Sequence, residues 1–149
     1  MKTSLRTVRV RTAAPFAVAD LTDDLFLAVT ESRITDGSAI AFCAHTTCTL
    51  LINEDEEGAL LDLTARLTTL IPTEIEYAHD DAARRARSSR EAHERKNGHA
   101  HVAQMIMGGT SHAIPIQGGK PMLGRWQRLL LLELDEPRDR NVLFHVFGE

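Results

Sequence analysis

Thr110 to Phe147, read TSHAIPIQGGKPMLGRWQRLLLLELDEPRDRNVLFHVF, is the stretch whose reading decides the fold. Thr110 to Ile116 has strand character, and Gln117-Gly118-Gly119-Lys120 predicts a hairpin turn, because adjacent glycines supply the positive φ that tight hairpins need. Met122 to Leu134 reads as the next strand, alternating around Trp126. Asn141 to Phe147 reads as the last, reached through a charged turn from Asp135 to Arg140. The C-terminal third is therefore expected to be a meander of consecutive strands.

Working outward, Val102 to Met107 is an apolar helical segment that stops at Gly108-Gly109, a helix end. Asn97-Gly98-His99-Ala100-His101 precedes it. From Ala82 to Lys96 the chain is Ala, Arg, Ser and Glu with almost no large apolar residue, and either an exposed helix or an active-site flap fits it. Leu60, Leu63, Leu67 and Leu70 recur at helical spacing before Pro72 and give the clearest helix. The acidic run Asn53-Glu54-Asp55-Glu56-Glu57 opens that helix, where carboxylates oppose the positive end of its dipole and Asn or Asp supplies the cap. Ser38 to Cys43 and Thr49 to Asn53 are apolar segments of strand length, interrupted by His45-Thr46-Thr47. A first helix is expected from a cap at Asp20 or Thr22 to near Gly37, behind an opening strand from Thr3 to Thr12. Strands and helices followed by consecutive strands give an α+β domain, with helices against a sheet or sandwich.

The chain has 149 residues, 43% of them hydrophobic, enough for one domain with a core that needs no disulfide or structural metal. Its formal net charge of -4 gives no general attraction to nucleic acid or to an anionic membrane surface. The apolar run Leu129 to Leu132 is far too short to span a bilayer, and Met1 to Phe16 lacks a signal-peptide core, so a cytoplasmic location is expected. Cys43 and Cys48 match no CxxC redox pair; on a continuous strand they would face opposite ways, and they read as buried, unreactive thiols.

The chemistry-bearing residues are histidines and their neighbours. His99 and His101 would share a face on a strand but stand about 200° apart on a helix. His79 precedes Asp80 and Asp81, carboxylates that can ligate an ion or orient an imidazole, and a histidine cluster with a carboxylate matches zinc's preferences. His45-Thr46-Thr47 either hydrogen-bonds a turn or supplies a general acid or base with two hydroxyl donors. Gly108-Gly109-Thr110-Ser111, with Lys120, Arg125 and Arg128 nearby, is either plain turn chemistry or an anion site.

Taken in order, His45-Thr46-Thr47, Asn53-Glu54, Tyr77-Ala78-His79-Asp80-Asp81, Asn97-Gly98-His99-Ala100-His101, Ser111 with Ile114-Pro115-Ile116, and Leu123-Gly124-Arg125-Trp126-Gln127 resemble the YjbQ family, as do Glu133-Leu134-Asp135 and Arg138. The resemblance runs from about Ala39 to the C-terminus. It implies an α+β domain with antiparallel or mixed, sandwich-like sheets, two main helices and a short one, assembled as a homotrimer with a histidine-containing pocket near a subunit boundary. It also implies an enzyme acting on a phosphorylated small molecule: a thiamine-phosphate synthase-like transferase joining hydroxymethylpyrimidine diphosphate to thiazole phosphate with loss of diphosphate. A metal-assisted hydrolase and a non-catalytic trimeric metal- or anion-binding protein are the alternatives. Carried onto this chain, the resemblance makes His45, His79, Asp80 and His101 catalytic. Thr46, Thr47, Asn53, Ser111, Arg125, Trp126 and Gln127 bind substrate or phosphate, and His79, His99, His101 and His45 hold a divalent metal, Zn2+ or Mg2+. The Gly108 to Ser111 linker is longer than the family's usual one.

Overall fold

The computed structural model describes residues 1–88 and 95–149. Its strands are β1 (Lys2–Arg11), β2 (Val18–Asp20), β3 (Gly37–Cys43), β4 (Cys48–Asn53), β5 (Ser111–Gln117), β6 (Lys120–Pro121), β7 (Arg128–Glu133) and β8 (Asp139–Gly148). The α-helices are α1 (Thr22–Ser32), α2 (Glu57–Leu70), α3 (Ala82–Ser88) and α4 (Gly98–Met107), with a 3-10 turn over Ala78–Asp80. The fold is α+β as expected, and α3 begins in the arginine-rich segment that the sequence left open. Arg90, Glu91, His93 and Glu94 of that segment lie outside the described residues.

The strands form two antiparallel sheets, ordered β1-β8-β3-β5-β6 and β2-β7-β4. The Gly118-Gly119 turn joins β5 to β6 as predicted, with both glycines at positive φ. The meander stops there. β7 belongs to the second sheet, between β2 and β4, and β8 returns to the first, between β1 and β3. The expected strand from Met122 also begins late: only Arg128–Glu133 pair, and after the half-buried Leu123 the residues Gly124 to Gln127 form an exposed turn in which Gly124 N–H donates to Gln127 Oε1 at 2.7 Å. Trp126 therefore stands 61% exposed rather than alternating on a strand.

The unbroken leucine run of β7 has a physical reason, because its strand is covered on both faces. Leu129 and Leu131 point into the main core with Ala39, Ala41, Phe144 and Val146 of the first sheet and Leu25 and Val29 of α1. Leu132 and, just past the strand, Leu134 point the other way, into a second core with Leu67 and Ile71 at the end of α2 and Ala100 and Ala103 of α4. The layers are thus first sheet, second sheet, then α2 and α4, which brings α4 against the end of β7.

Helix ends differ from expectation in instructive ways. α1 stops at Ser32, where Arg33 takes a left-handed φ of 54°, so Gly37 is not its terminus. Gly37 instead opens β3, where an added Cβ would lie 2.1 Å from the Phe147 carbonyl oxygen. α2 is capped by Glu56, whose carboxylate accepts from Gly58 N–H and Ala59 N–H, both at 2.8 Å. A carboxylate in that place does the work expected of Asn or Asp. No helix among the described residues is long and apolar enough to cross a membrane.

Candidate functional site

Glu133 ends β7 fully buried, and a charge there must be paired. Arg140 supplies the pairing through Nε to Glu133 Oε2 at 2.8 Å and a second, shorter contact from Nη2 to Oε1. Thr12 Oγ1 and the Asp135 N–H also donate to Glu133, at 2.8 and 3.0 Å. Arg140 Nη2 further donates to the Thr47 carbonyl and to Thr47 Oγ1, at 3.2 and 3.0 Å. Thr47 is thereby committed to the buried arginine, while Thr46 beside it is exposed.

Two residues on, Asp135 carries this network to α4. Its Oδ2 accepts from Asn97 Nδ2 at 2.8 Å and from Arg138 Nη2. Asn97 is the N-cap of α4, and the next residue, Gly98, donates its N–H to Asp80 Oδ1 at 2.9 Å. Asp80 thus ties the 3-10 turn to the first turn of α4. Gly98 permits the approach, since a Cβ there would fall 2.4 Å from Tyr77 Cβ. The outcome is that His79, one residue before Asp80, lies beside His101, with ring centroids 4.3 Å apart.

This pair is the unusual chemistry of the chain. His79 Nε2 and His101 Nε2 are both buried and make no hydrogen bond among the described residues. Burial, then the neighbouring His79, hold His101 below the ordinary imidazole range, with Arg85 and Arg138 acting the same way and Asp135 opposing. At neutral pH His101 is an uncharged imidazole, able to take a proton, donate a hydrogen bond or bind an ion.

The other predicted residues are distributed unevenly. Because α4 starts at Gly98, His99 and His101 point apart; His99 faces Tyr77, at 6.3 Å between rings, and lines a polar groove of about 650 Å³ with Asp80, Asp81 and Lys96. His45 sits between β3 and β4, and its Nε2 accepts the Asn141 N–H at 3.0 Å, so that nitrogen is engaged. Ser111 is exposed at the start of β5, opposite Phe42. Asn53 is exposed opposite Arg128, whereas Cys48 lies opposite Glu133. Asn53 and the Arg125-Trp126-Gln127 turn therefore occupy the far end of β7 from Glu133, about 17 Å away along the strand. In that turn Arg125 stacks over Trp126 at 4.6 Å. One chain brings together His79, Asp80 and His101, and holds the turn apart from them.

Asn97, Arg85, Asp135, Arg138, Arg140 and Glu133 were missing from the predicted site. Their signal was present in Glu133, Asp135, Arg138 and Arg140, charges abutting a run of buried leucines, which have to be paired with one another. Arg85 acts on His101 from α3, a segment whose composition gives no hint of burial, yet Arg85 is only 7% exposed.

Comparison with known proteins gives the same assignment. The family model described as UPF0047 protein YjbQ-like matches residues 6–149. This chain belongs to the YjbQ family. A UPF0047 protein of Archaeoglobus fulgidus is 37% identical over 134 residues, covering 90% of this chain and 94% of the relative. The UPF0047 protein YugU of Bacillus subtilis is 28% identical over 145 residues, covering 97% and 99%. Among solved YjbQ-family structures, a YbjQ-like protein of Sulfolobus solfataricus superposes with a TM-score of 0.84 at 28% identity, covering 99% of each chain. A Clostridium acetobutylicum member gives 0.81 at 31% identity, covering 95% of this chain and 99% of its own.

The site makes one pH prediction. Burial, then Arg140, hold His45 below the ordinary imidazole range, and burial does so for His101. Both groups bind a proton more readily unfolded than folded, so their contribution to stability is complete above the unfolded value of about 6.5 and is lost as pH falls below it. Urea midpoints are expected to fall between pH 7.5 and pH 5.5, above the carboxylate range; an unchanged midpoint contradicts the burial of these rings.

Proposed function

We propose that this chain is an enzyme acting on a phosphorylated small molecule, with His79 and His101 at its reacting centre. The observation that carries the reading is the pair of buried Nε2 atoms without a hydrogen-bond partner among the described residues, with the charge of Arg138 close enough to act on His101. A buried polar group left without a partner costs about 1–3 kcal/mol, so two in contact favour a ligand that satisfies both. Arg138, whose Nη2 is held by Asp135, still offers a buried Nε–H with no acceptor among the described residues, a donor suited to an anionic ligand.

The thiamine-phosphate synthase reaction suits such a site. The bond from the pyrimidine's methylene carbon to the diphosphate oxygen breaks, the electron pair leaves with diphosphate, and the thiazole nitrogen bonds to that carbon. No protein nucleophile is required. What the protein supplies is charge stabilisation of the leaving group and alignment of the two substrates. Arg138 Nε–H and an imidazole N–H are the groups suited to receive diphosphate oxygens.

The divalent metal fits less completely. Imidazole nitrogens are zinc-type donors, and His79 and His101 offer two, but a catalytic zinc site takes three protein ligands. Among the described residues no group of three His, Cys, Asp or Glu is placed to hold an ion. Magnesium prefers oxygen ligands, which this pair lacks. The described residues of one chain do not complete a Zn2+ or Mg2+ site. The two free nitrogens are nonetheless what favours the second reading, a metal-assisted hydrolase or a non-catalytic metal- or anion-binding protein.

The separation of the Arg125-Trp126-Gln127 turn from the histidine pair supports the homotrimer, in which one copy's turn would lie near another copy's pair. Exposed Met105 and Ile106 on α4 and Trp126 on the turn are apolar surface suited to such contacts. Light scattering is expected to give three times the 16.5 kDa chain mass, and a monomer overturns the shared site.

The functional test is incubation of the protein with the two precursors after chelator treatment, with thiamine phosphate and diphosphate measured together. Both are expected in equal amounts. Absence of product discards this reaction, and activity restored only by stoichiometric zinc transfers support to the metal reading.

A further inference from the structure

Cys43 closes β3 in the first sheet and Cys48 opens β4 in the second, so the two belong to different strands and face each other instead of pointing apart. Their Sγ atoms are 3.3 Å apart, and both residues are buried in the main core, at 0% and 1% exposure. A disulfide bond is about 2.0 Å long, so closure asks for little over an ångström of movement. Hydrogen bonds hold His45 and Thr47 of the connection between them, so the movement falls to the exposed Ala44 and Thr46 and to the cysteine side-chain torsions. We infer that Cys43 and Cys48 form a reversible oxidation site, an intrachain dithiol that a small neutral peroxide converts to a disulfide bridging the two sheets. This inference stands independently of the proposed reaction.

The chemistry balances in two steps. One thiol, as thiolate, attacks a peroxide oxygen, giving a sulfenic acid and a first water. The second thiol then attacks that sulfur, forming the S–S bond and releasing a second water. Two electrons pass from the sulfurs to hydrogen peroxide. The ring so closed contains His45-Thr46-Thr47, whose His45 takes the Asn141 N–H and whose Thr47 holds Arg140. Oxidation therefore fixes the segment that supports the buried Glu133–Arg140 pair.

The test treats the folded, full-length protein with hydrogen peroxide, removes the oxidant, unfolds the chain and adds N-ethylmaleimide. The tryptic peptide Ile34 to Arg66 holds both cysteines and no methionine, so methionine oxidation does not confuse its mass. It is expected to lose two hydrogens and take up no maleimide, and dithiothreitol treatment before alkylation is expected to restore two maleimides. Cys43→Ala and Cys48→Ala, with folding checked by circular dichroism, are each expected to lack this internal bridge. Two maleimides on the peroxide-treated wild type, a sulfinic acid on one cysteine with the other free, or disulfides only between chains would each overturn the inference.

Discussion

A His101→Ala variant is expected to lose about 10²–10³-fold in turnover of the phosphorylated substrate, the range for removing one donor that stabilises charge developing in the transition state. The fold should survive the change. His101 is half-buried on α4, whose hold on the second sheet comes instead from Ala100 and Ala103 in the second core and from the Asn97–Asp135 hydrogen bond. Circular dichroism and an unfolding midpoint near that of wild type separate lost chemistry from lost structure. His79→Ala is expected to behave alike, because the pair acts together, and His99→Ala to cost much less, since His99 faces the Tyr77 side. Equal losses at His99 and His101 would mean that the groove, not the buried pair, is the reacting centre.

Breaking the buried ion pair is the largest expected change in stability. Glu133→Gln removes the charge that Arg140 faces, with side chains 0% and 3% exposed, and loss of one partner of such a pair costs about 3–5 kcal/mol. That is a large share of the 5–15 kcal/mol of stability usual for a domain. Urea unfolding measures it. Arg140→Met alone should be similarly costly, because it strands Glu133. The double variant Glu133→Leu with Arg140→Met should recover much of the loss, since apolar replacement of a whole buried pair is often neutral. A Glu133→Gln protein as stable as wild type would show that the charge of Glu133 is not what holds Arg140.

How far the sequence reaches can be seen in β7 and α4. The run Leu129 to Leu132 announces a buried strand, but periodicity carries no information about which sheet receives it. Whether β7 continues the hairpin or crosses to β2 and β4 depends on long-range pairing, and so the predicted meander did not hold beyond β6. The helix through Met107 and its end at Gly108 were legible, and so was the warning that His99 and His101 diverge on a helix. Its start was not, because Gly98 is a poor helix former whose use is steric, letting Tyr77 and Asp80 approach. His79 and His101 are 22 positions apart in sequence and are brought together where Asp80 binds the Gly98 N–H. The cysteines show the same limit: five positions apart, they diverge on a continuous strand, but the chain turns from one sheet to the other between them.

The two buried Nε2 atoms are expected to receive an anionic, phosphate-bearing ligand. This is tested most directly by following the imidazole nitrogen resonances of all seven histidines while inorganic diphosphate is added to chelator-treated protein. The Nε2 signals of His79 and His101 are expected to move together and saturably, while that of His145, paired with Thr3 on the β1 and β8 surface, stays in place. Saturable binding that leaves His79 and His101 unmoved, or no binding until zinc is supplied, would show that the pair does not itself receive the anion.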